Sequence, residues 1–211
     1  MAKYLTEAIG TFFLVLTIGL SVLSGSDWAP LAIGSALMVM VYMGGHVSGA
    51  HYNPAVSLAV MLRGKLAPGD FAPYLIAQFV GAIAAALVVL WVTGKTLHVA
   101  PGKVSIVAAL ALEMLYTFAL ALVVLNVATS SKTTNNSFYG LAIGFTVAAA
   151  AFAAGGISGG AFNPAVGIGA NLVHDFKTGG GGWSHTWIYL VGPLVGGALA
   201  AGVFQLQEGS K

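Results

Sequence analysis

The stretch LAIGSALMVMVYMGGHVSGAHYNPAV at 31–56 lies over LAIGFTVAAAAFAAGGISGGAFNPAV at 141–166 without a gap, at a constant offset of 110 residues. Eleven of the 26 positions are identical, and both copies close on Asn-Pro-Ala-Val. The chain is a duplication, so whatever one half folds into, the other half must be able to fold into as well. Each copy runs from an apolar segment through glycines to a motif that starts a helix. Asn is a strong N-cap, and Pro is favoured at the first helical position, where its missing N–H costs nothing.

The duplicated unit is too apolar for water. With 58% hydrophobic and 7% charged residues and a mean hydropathy of +0.91, the chain lacks the charge to cover a soluble globule. Crossing a hydrocarbon core takes roughly 20 apolar residues as a helix. Six segments approach or exceed that, at 4–23, 28–44, 71–92, 104–127, 138–154 and 187–204. They are continuously apolar rather than alternating, which predicts helices and not a barrel. Lys3 and the run after it have the outline of a signal peptide, but Glu7 interrupts the run and no small-x-small cleavage site precedes a polar domain. The segment is read as the first span. Three spans per half give the halves opposite orientations, an inverted repeat of approximately 1–95 and 103–211 within one domain, 1–211. Six spans put both termini on one side. With that side cytoplasmic, Lys3, Arg63, Lys65, Lys132 and Lys211 are inside against Lys95, Lys103 and Lys177 outside, the favoured sense. Cysteine is absent, which excludes disulfides, thiolate nucleophiles and thiolate metal sites.

The segments after the two motifs are too short to cross. From Asn53 the chain reaches Arg63-Gly64-Lys65, and from Asn163 it reaches His174-Asp175-Phe176-Lys177. About ten helical residues give roughly 15 Å, half the hydrocarbon thickness. Each segment is expected to enter and stop. The preceding stretches Gly44-Gly45-His46-Val47-Ser48-Gly49 and Gly155-Gly156-Ile157-Ser158-Gly159-Gly160 are expected to leave the helix, which a bilayer tolerates only where backbone is packed in protein or lines water. If each Asn side-chain oxygen caps its helix, each NH2 is left as a free donor, and Asn53 and Asn163 face a common lumen. The alternative is two ordinary capped helices joined by loops; matched placement in an inverted repeat argues against it.

Glu7 and Glu113 are ionisable groups inside spans and so are functional candidates. A proton relay is one reading; equivalent placement in both halves favours carboxylates that accept backbone N–H groups of the re-entrant loops. His46 and His51 flank the first motif, yet without Cys or clustered carboxylates a metal site is not expected, and polar packing is the default. Gly81, Gly144, Gly192, Gly196 and Gly197 fit helix contacts. The run Gly179 to Gly182 with Trp183 reads as a flexible external loop, residues 93–102 as a cap on the same side, and residues 128–137 as internal and polar. Ser48, His46, Glu7 and Glu113 show no hydrolase order, and two membrane carboxylates are few for a coupled transporter. No enzyme activity, cofactor or nucleic-acid partner is expected.

SGAHYNPAV and SGGAFNPAV, Glu7 and Glu113, and Tyr189-Leu190-Val191-Gly192-Pro193 resemble the aquaporin family of major intrinsic proteins, over essentially the whole chain. The resemblance implies an all-α membrane fold of six tilted transmembrane helices plus two re-entrant half-helices meeting at the midplane. It implies a homotetramer in the cell membrane, with one pore per subunit passing water and small neutral solutes passively and excluding ions. Asn53, Pro54, Ala55, Asn163, Pro164 and Ala165 take the pore centre. Carbonyls of residues 48–51, His51 included, and of Gly159, Gly160 and Ala161 supply acceptors. In water-selective members an Arg follows the second Asn-Pro-Ala; this chain has Val166 there, and the other constriction positions fall on Ile33, Ala151 and Gly160. None offers a side-chain hydrogen bond, which predicts a wide, apolar filter through which ammonia, hydrogen peroxide, urea or a small polyol follows water. Gly167 stands where glycerol-facilitating members place Asp, which weakens a glycerol reading.

Overall fold

The computed structural model describes residues 1–209, so Lys211, counted above among the positive charges, lies outside the described residues. The helices in chain order are α1 (Ala2–Leu23), α2 (Ala29–Ser48), α3 (Pro54–Leu62), α4 (Pro68–Thr93), α5 (Ile106–Thr129), α6 (Tyr139–Ser158), α7 (Pro164–Thr178) and α8 (Ile188–Glu208), with a 3-10 turn at Ser131–Thr133. Among the described residues there is no strand, and α1, α2, α4, α5, α6 and α8 are long and apolar enough to cross a membrane. Their outward faces carry exposed apolar side chains such as Leu5, Ile76, Phe145 and Leu199, a surface that only lipid or another apolar partner solvates. The chain begins and α8 ends on one face, the terminal face; the α1–α2, α4–α5 and α7–α8 connections lie on the far face.

The duplication is visible in packing. Helix α1 packs on α2 and α4, α5 packs on α6 and α8, and α2 crosses α6 at the junction of the halves. Gly81 of α4 meets the backbone of α1 at Ala8, and Gly196 of α8 meets that of α5 at Met114. At the central crossing, a Cβ on Gly34 would lie 2.5 Å from the Gly144 carbonyl and 2.6 Å from the Ala148 methyl. Small residues let backbones approach where apolar surface gives no preference for protein over lipid. Gly34→Leu is therefore expected to destabilise the protein by about 1–3 kcal/mol through overpacking, read as a lower thermal midpoint in detergent. Gly202→Ala, where nothing lies within 4 Å, is expected to leave the midpoint unchanged or slightly raised, since Ala is the better helix former.

Two expectations are corrected. The glycines at 44, 45, 155 and 156 do not leave the helix: α2 and α6 continue to Ser48 and Ser158, and the break falls at Gly49 and Gly159, both left-handed. Backbone groups unpaired in hydrocarbon cost several kcal/mol each, so the helix persists until other partners take over. Gly44 serves a close approach instead, because a Cβ there would overlap the Tyr52 hydroxyl and lie 2.6 Å from a Thr6 methyl. The second correction concerns length. Helix α3 has 9 residues, about 14 Å, but α7 has 15, about 22 Å, and runs straight through the polar cluster to a left-handed Gly179. A polar side chain limits burial in hydrocarbon, not helix propagation. His174 hydrogen-bonds Thr96 through Nδ1 at 2.8 Å, and one oxygen of the Asp175 carboxylate accepts the Gly182 N–H, while its other oxygen is buried without a partner among the described residues.

The α4–α5 connection is tied down over α6 and α7. Gly102 donates to the Ile157 carbonyl at 2.9 Å, Val99 and Asn171 exchange two bonds, and the His98 ring stacks on His174 at 4.2 Å. Burial lowers the pKa of His98, and the adjacent imidazole of His174 adds to that, although Asp175 opposes it.

Candidate functional site

The two glycine breaks release the chain into straps, residues 49–53 and 159–163, that carry it back to the middle of the molecule. Positive φ recurs at matched positions: Gly49 (86°), Ala50 (51°) and Tyr52 (51°) in the first strap, Gly159 (98°), Gly160 (64°) and Phe162 (49°) in the second. Left-handed backbone at Ala50, Tyr52 and Phe162 costs on the order of 1–3 kcal/mol per residue and needs surroundings that hold it. The holding groups are buried carboxylates. Glu7 accepts from the Ser48 hydroxyl (2.7 Å), the backbone N–H of His51 (2.9 Å) and Tyr52 (2.7 Å), and the Gln78 amide (2.8 Å). Glu113 accepts from the Ser158 hydroxyl (2.7 Å) and the N–H of Ala161 (3.1 Å) and Phe162 (2.6 Å). The serine hydroxyls accept in turn from Ala50 and Gly160, and the N–H groups of Gly49 and Gly159 close the last helical turns.

Every backbone N–H from 49 to 52 and from 159 to 162 is therefore bonded within the protein. The carbonyls behave oppositely. Those of Ser48 and Ser158 accept from the hydroxyls of Tyr74 and Tyr189 at 2.7 Å, which removes Ser48 from the acceptors expected along the lumen. Those of Gly49, Ala50, His51, Gly159, Gly160 and Ala161 accept no bond among the described residues. Each strap is a row of peptide planes with N–H groups turned into the protein and oxygens turned away.

The straps end on the two asparagines, which cap α3 and α7. Each side-chain oxygen accepts an N–H at 2.9 Å, from Ala55 and from Ala165. The amide nitrogens are not wholly free, as the sequence alone led one to expect. Asn53 Nδ2 donates to the Phe162 carbonyl and Asn163 Nδ2 donates to the Tyr52 carbonyl, both at 2.8 Å. Each cap thus clamps the opposite strap and retains one N–H. The clamp brings the two helix N-termini together, and α3 is further seated by Gly197, whose Cα lies against the Ala55 backbone.

Cavities approach this junction from both faces. The far-face cavity, about 350 Å³, is lined by Ile33, Ala151, Gly160 and Val166 together with both asparagines and the second strap. The terminal-face cavity, about 880 Å³, reaches from His51 past His46 and Arg63 to the segment 127–136. His51, Val124 and Ile143 border both, so the cavities adjoin beside the asparagine clamp. Of the sequence-selected residues, Asn53, Asn163, Ile33, Ala151, Val166, His51, Gly159, Gly160 and Ala161 line these cavities, whereas Glu7 and Glu113 are buried behind the straps and Pro54, Ala55, Pro164 and Ala165 are buried in the half-helices. Reading the sequence missed Tyr74, Gln78 and Ser57, and gave Tyr189 no role. Ser57 bonds His51 Nδ1 at 3.1 Å and accepts from Gln78 at 2.9 Å. Thr11 and Thr117, one turn beyond each carboxylate, are buried with hydroxyls unpaired among the described residues.

Opposed half-helices and a lumen reaching their clamp from two faces define a membrane channel. The profile of the Major intrinsic protein family matches residues 1–204. The chain is 38% identical to a glycerol uptake facilitator protein-like 6 of Lactiplantibacillus plantarum, over 95% of each. It is 36% identical to aquaporin NIP1-1 of Zea mays, covering 97% of this chain and 74% of that one, and 32% identical to aquaporin AqpM of Methanothermobacter thermautotrophicus, over 96% of each. The X-ray structure of the aquaglyceroporin from Plasmodium falciparum superposes with a TM-score of 0.86 at 22% identity, over 96% of this chain and 94% of that one, which establishes the common fold. The chain belongs to the major intrinsic protein family. It is a multi-pass membrane channel for water and small solutes, and not an enzyme.

Proposed function

We propose that the channel conducts water and small neutral solutes in single file past Asn53 and Asn163 and excludes ions at that clamp. The observation carrying the reading is the paired strap: six carbonyls without partners among the described residues, leading from two cavities to two residual Asn N–H groups at the meeting helix N-termini. Each N-terminus presents about half a positive charge. A cation about 4 Å from both, at an effective dielectric of 20, is opposed by roughly 4 kcal/mol before dehydration. A neutral molecule meets no such term. Pro54, Ala55, Pro164 and Ala165 set the first turns of the half-helices, and Glu7 and Glu113 hold the straps in place. Ile33, Ala151, Gly160 and Val166 form the selectivity filter, facing the one cavity from α2, α6, the second strap and α7. The active form is a homotetramer in the lipid of the cell membrane, with the terminal face cytoplasmic.

Stopped-flow light scattering on proteoliposomes tests the reading: water and urea permeability above protein-free vesicles without ion flux supports it, and a requirement for an ion gradient refutes it. Val166→Arg is expected to narrow the filter and lower urea and glycerol flux by about tenfold or more, a barrier of about 1.4 kcal/mol, with water flux reduced less. Equal solute fluxes in the two proteins would sink the filter assignment. Glycerol passage in the wild type is the outcome that sorts this chain with glycerol facilitators.

A further inference from the structure

The outer half of the lumen is chemically one-sided. Acceptors come from the second strap, where Gly159, Gly160 and Ala161 present unbonded carbonyls while every N–H from 159 to 162 is held by Gly155, Ser158 or Glu113. Ile33, Ala151, Gly160 and Val166 add no side-chain hydrogen bonder to the same cavity. The remaining N–H groups of the asparagines and the His51 ring lie at its floor, and the Ser26 hydroxyl lies toward its mouth beside Trp28. At the filter itself, a solute that has shed its water finds side-chain and strap partners only for its donors.

We infer that this filter ranks solutes by hydrogen-bond polarity: at equal size it passes donor-rich solutes in preference to solutes that only accept. The inference rests on the filter assignment proposed above. Carbonyl oxygens replace the water that bonded the solute's N–H or O–H groups, whereas a lone pair entering the filter loses its water and gains no side-chain partner. The preferred class is small amides, neutral amines and other solutes with several N–H or O–H groups. Excluded in proportion are aprotic solutes of the same dimensions. Width and apolarity alone would give the reverse order, since methyl groups suit apolar walls better than N–H groups do.

Urea, acetamide and dimethyl sulfoxide test this directly, because they have the same number of non-hydrogen atoms. Urea carries donors on two nitrogens, acetamide on one, and dimethyl sulfoxide none. Solute uptake into proteoliposomes is measured for each, the protein-free rate subtracted, and the result divided by water permeability of the same vesicles. Expected is a fall of about fivefold at each step from urea to acetamide to dimethyl sulfoxide. An equal or reversed order overturns the inference while leaving the channel reading intact; absent water permeability would overturn the channel reading itself. Val166→Asn adds donors at the filter and is expected to raise dimethyl sulfoxide relative to urea, whereas Val166→Ala, which widens without donors, is expected to keep the order. The same change in both variants overturns the donor account in favour of size. Ala151→Ser, placing a hydroxyl on the opposite wall, repeats the test if Val166→Asn does not fold.

Discussion

Replacing Glu7 by Gln is expected to lower the thermal midpoint in detergent by about 10 °C or more and to bring water permeability close to that of empty vesicles. Four donors converge on this carboxylate, two on each oxygen, and each oxygen serves one backbone N–H that cannot accept in return. An amide of the same shape keeps one accepting oxygen and turns an NH2 group against the donors that the other oxygen served. A buried donor left without its partner costs about 1–3 kcal/mol, and at least the backbone N–H of His51 or Tyr52 is orphaned. The left-handed backbone at Ala50 and Tyr52 then loses the bonds that hold it and relaxes. Because these bonds also turn the carbonyls of residues 49–51 away from the protein, the acceptor row is lost along with stability. Glu113→Gln should follow the same course with a smaller shift. Glu113 serves three donors, and the register set by Tyr74 with Tyr189 and Gly81 with Gly196 puts Pro193 where Gln78 stands in the first half. Wild-type midpoints and water fluxes in both variants would remove the carboxylates from strap support.

What the sequence made legible was whatever the duplication preserves at one offset. Ser48 with Ser158, Gly49 with Gly159 and the two Asn-Pro-Ala motifs align at 110 residues, and they mark the straps and half-helices. Tyr74 and Tyr189 perform the same act on the two serine carbonyls, but they lie 115 residues apart because the halves differ in loop and half-helix length, so no gap-free comparison pairs them. The length of α7 was misjudged because polarity marks where a helix leaves lipid and not where its hydrogen bonding stops. The crossed asparagine bonds were illegible for a different reason. Each N-cap geometry is local and follows from Asn-Pro, but the second bond depends on where the other strap's carbonyl lies, and only the assembled inverted repeat sets that.

That clamp bears the second large effect: Asn53→Asp and Asn163→Asp together are expected to admit cations. In the wild type the carboxyl groups of Glu7 and Glu113 are bonded into the straps and line neither cavity, and the two helix ends oppose a cation by roughly 4 kcal/mol at an effective dielectric of 20. A single carboxylate about 4 Å from the same point attracts a cation by about as much, which erases the barrier and raises cation occupancy about a thousandfold. Asp is a good N-cap and carries the sign that a helix N-terminus favours, so α3 and α7 should still start at Pro54 and Pro164. What Asp cannot do is donate to the Phe162 and Tyr52 carbonyls, so loss of the clamp must be separated from gain of charge. Asn53→Ser with Asn163→Ser makes that separation, since Ser caps both helices without reaching across and without charge. Potassium flux into valinomycin-free proteoliposomes should rise in the aspartate pair and stay at background in the serine pair, with water flux retained in both. Equal leaks in the two would mean that ions are excluded by the fit of the clamped straps and not by the field of the helix ends, and no leak in either would place the ion barrier elsewhere along the lumen.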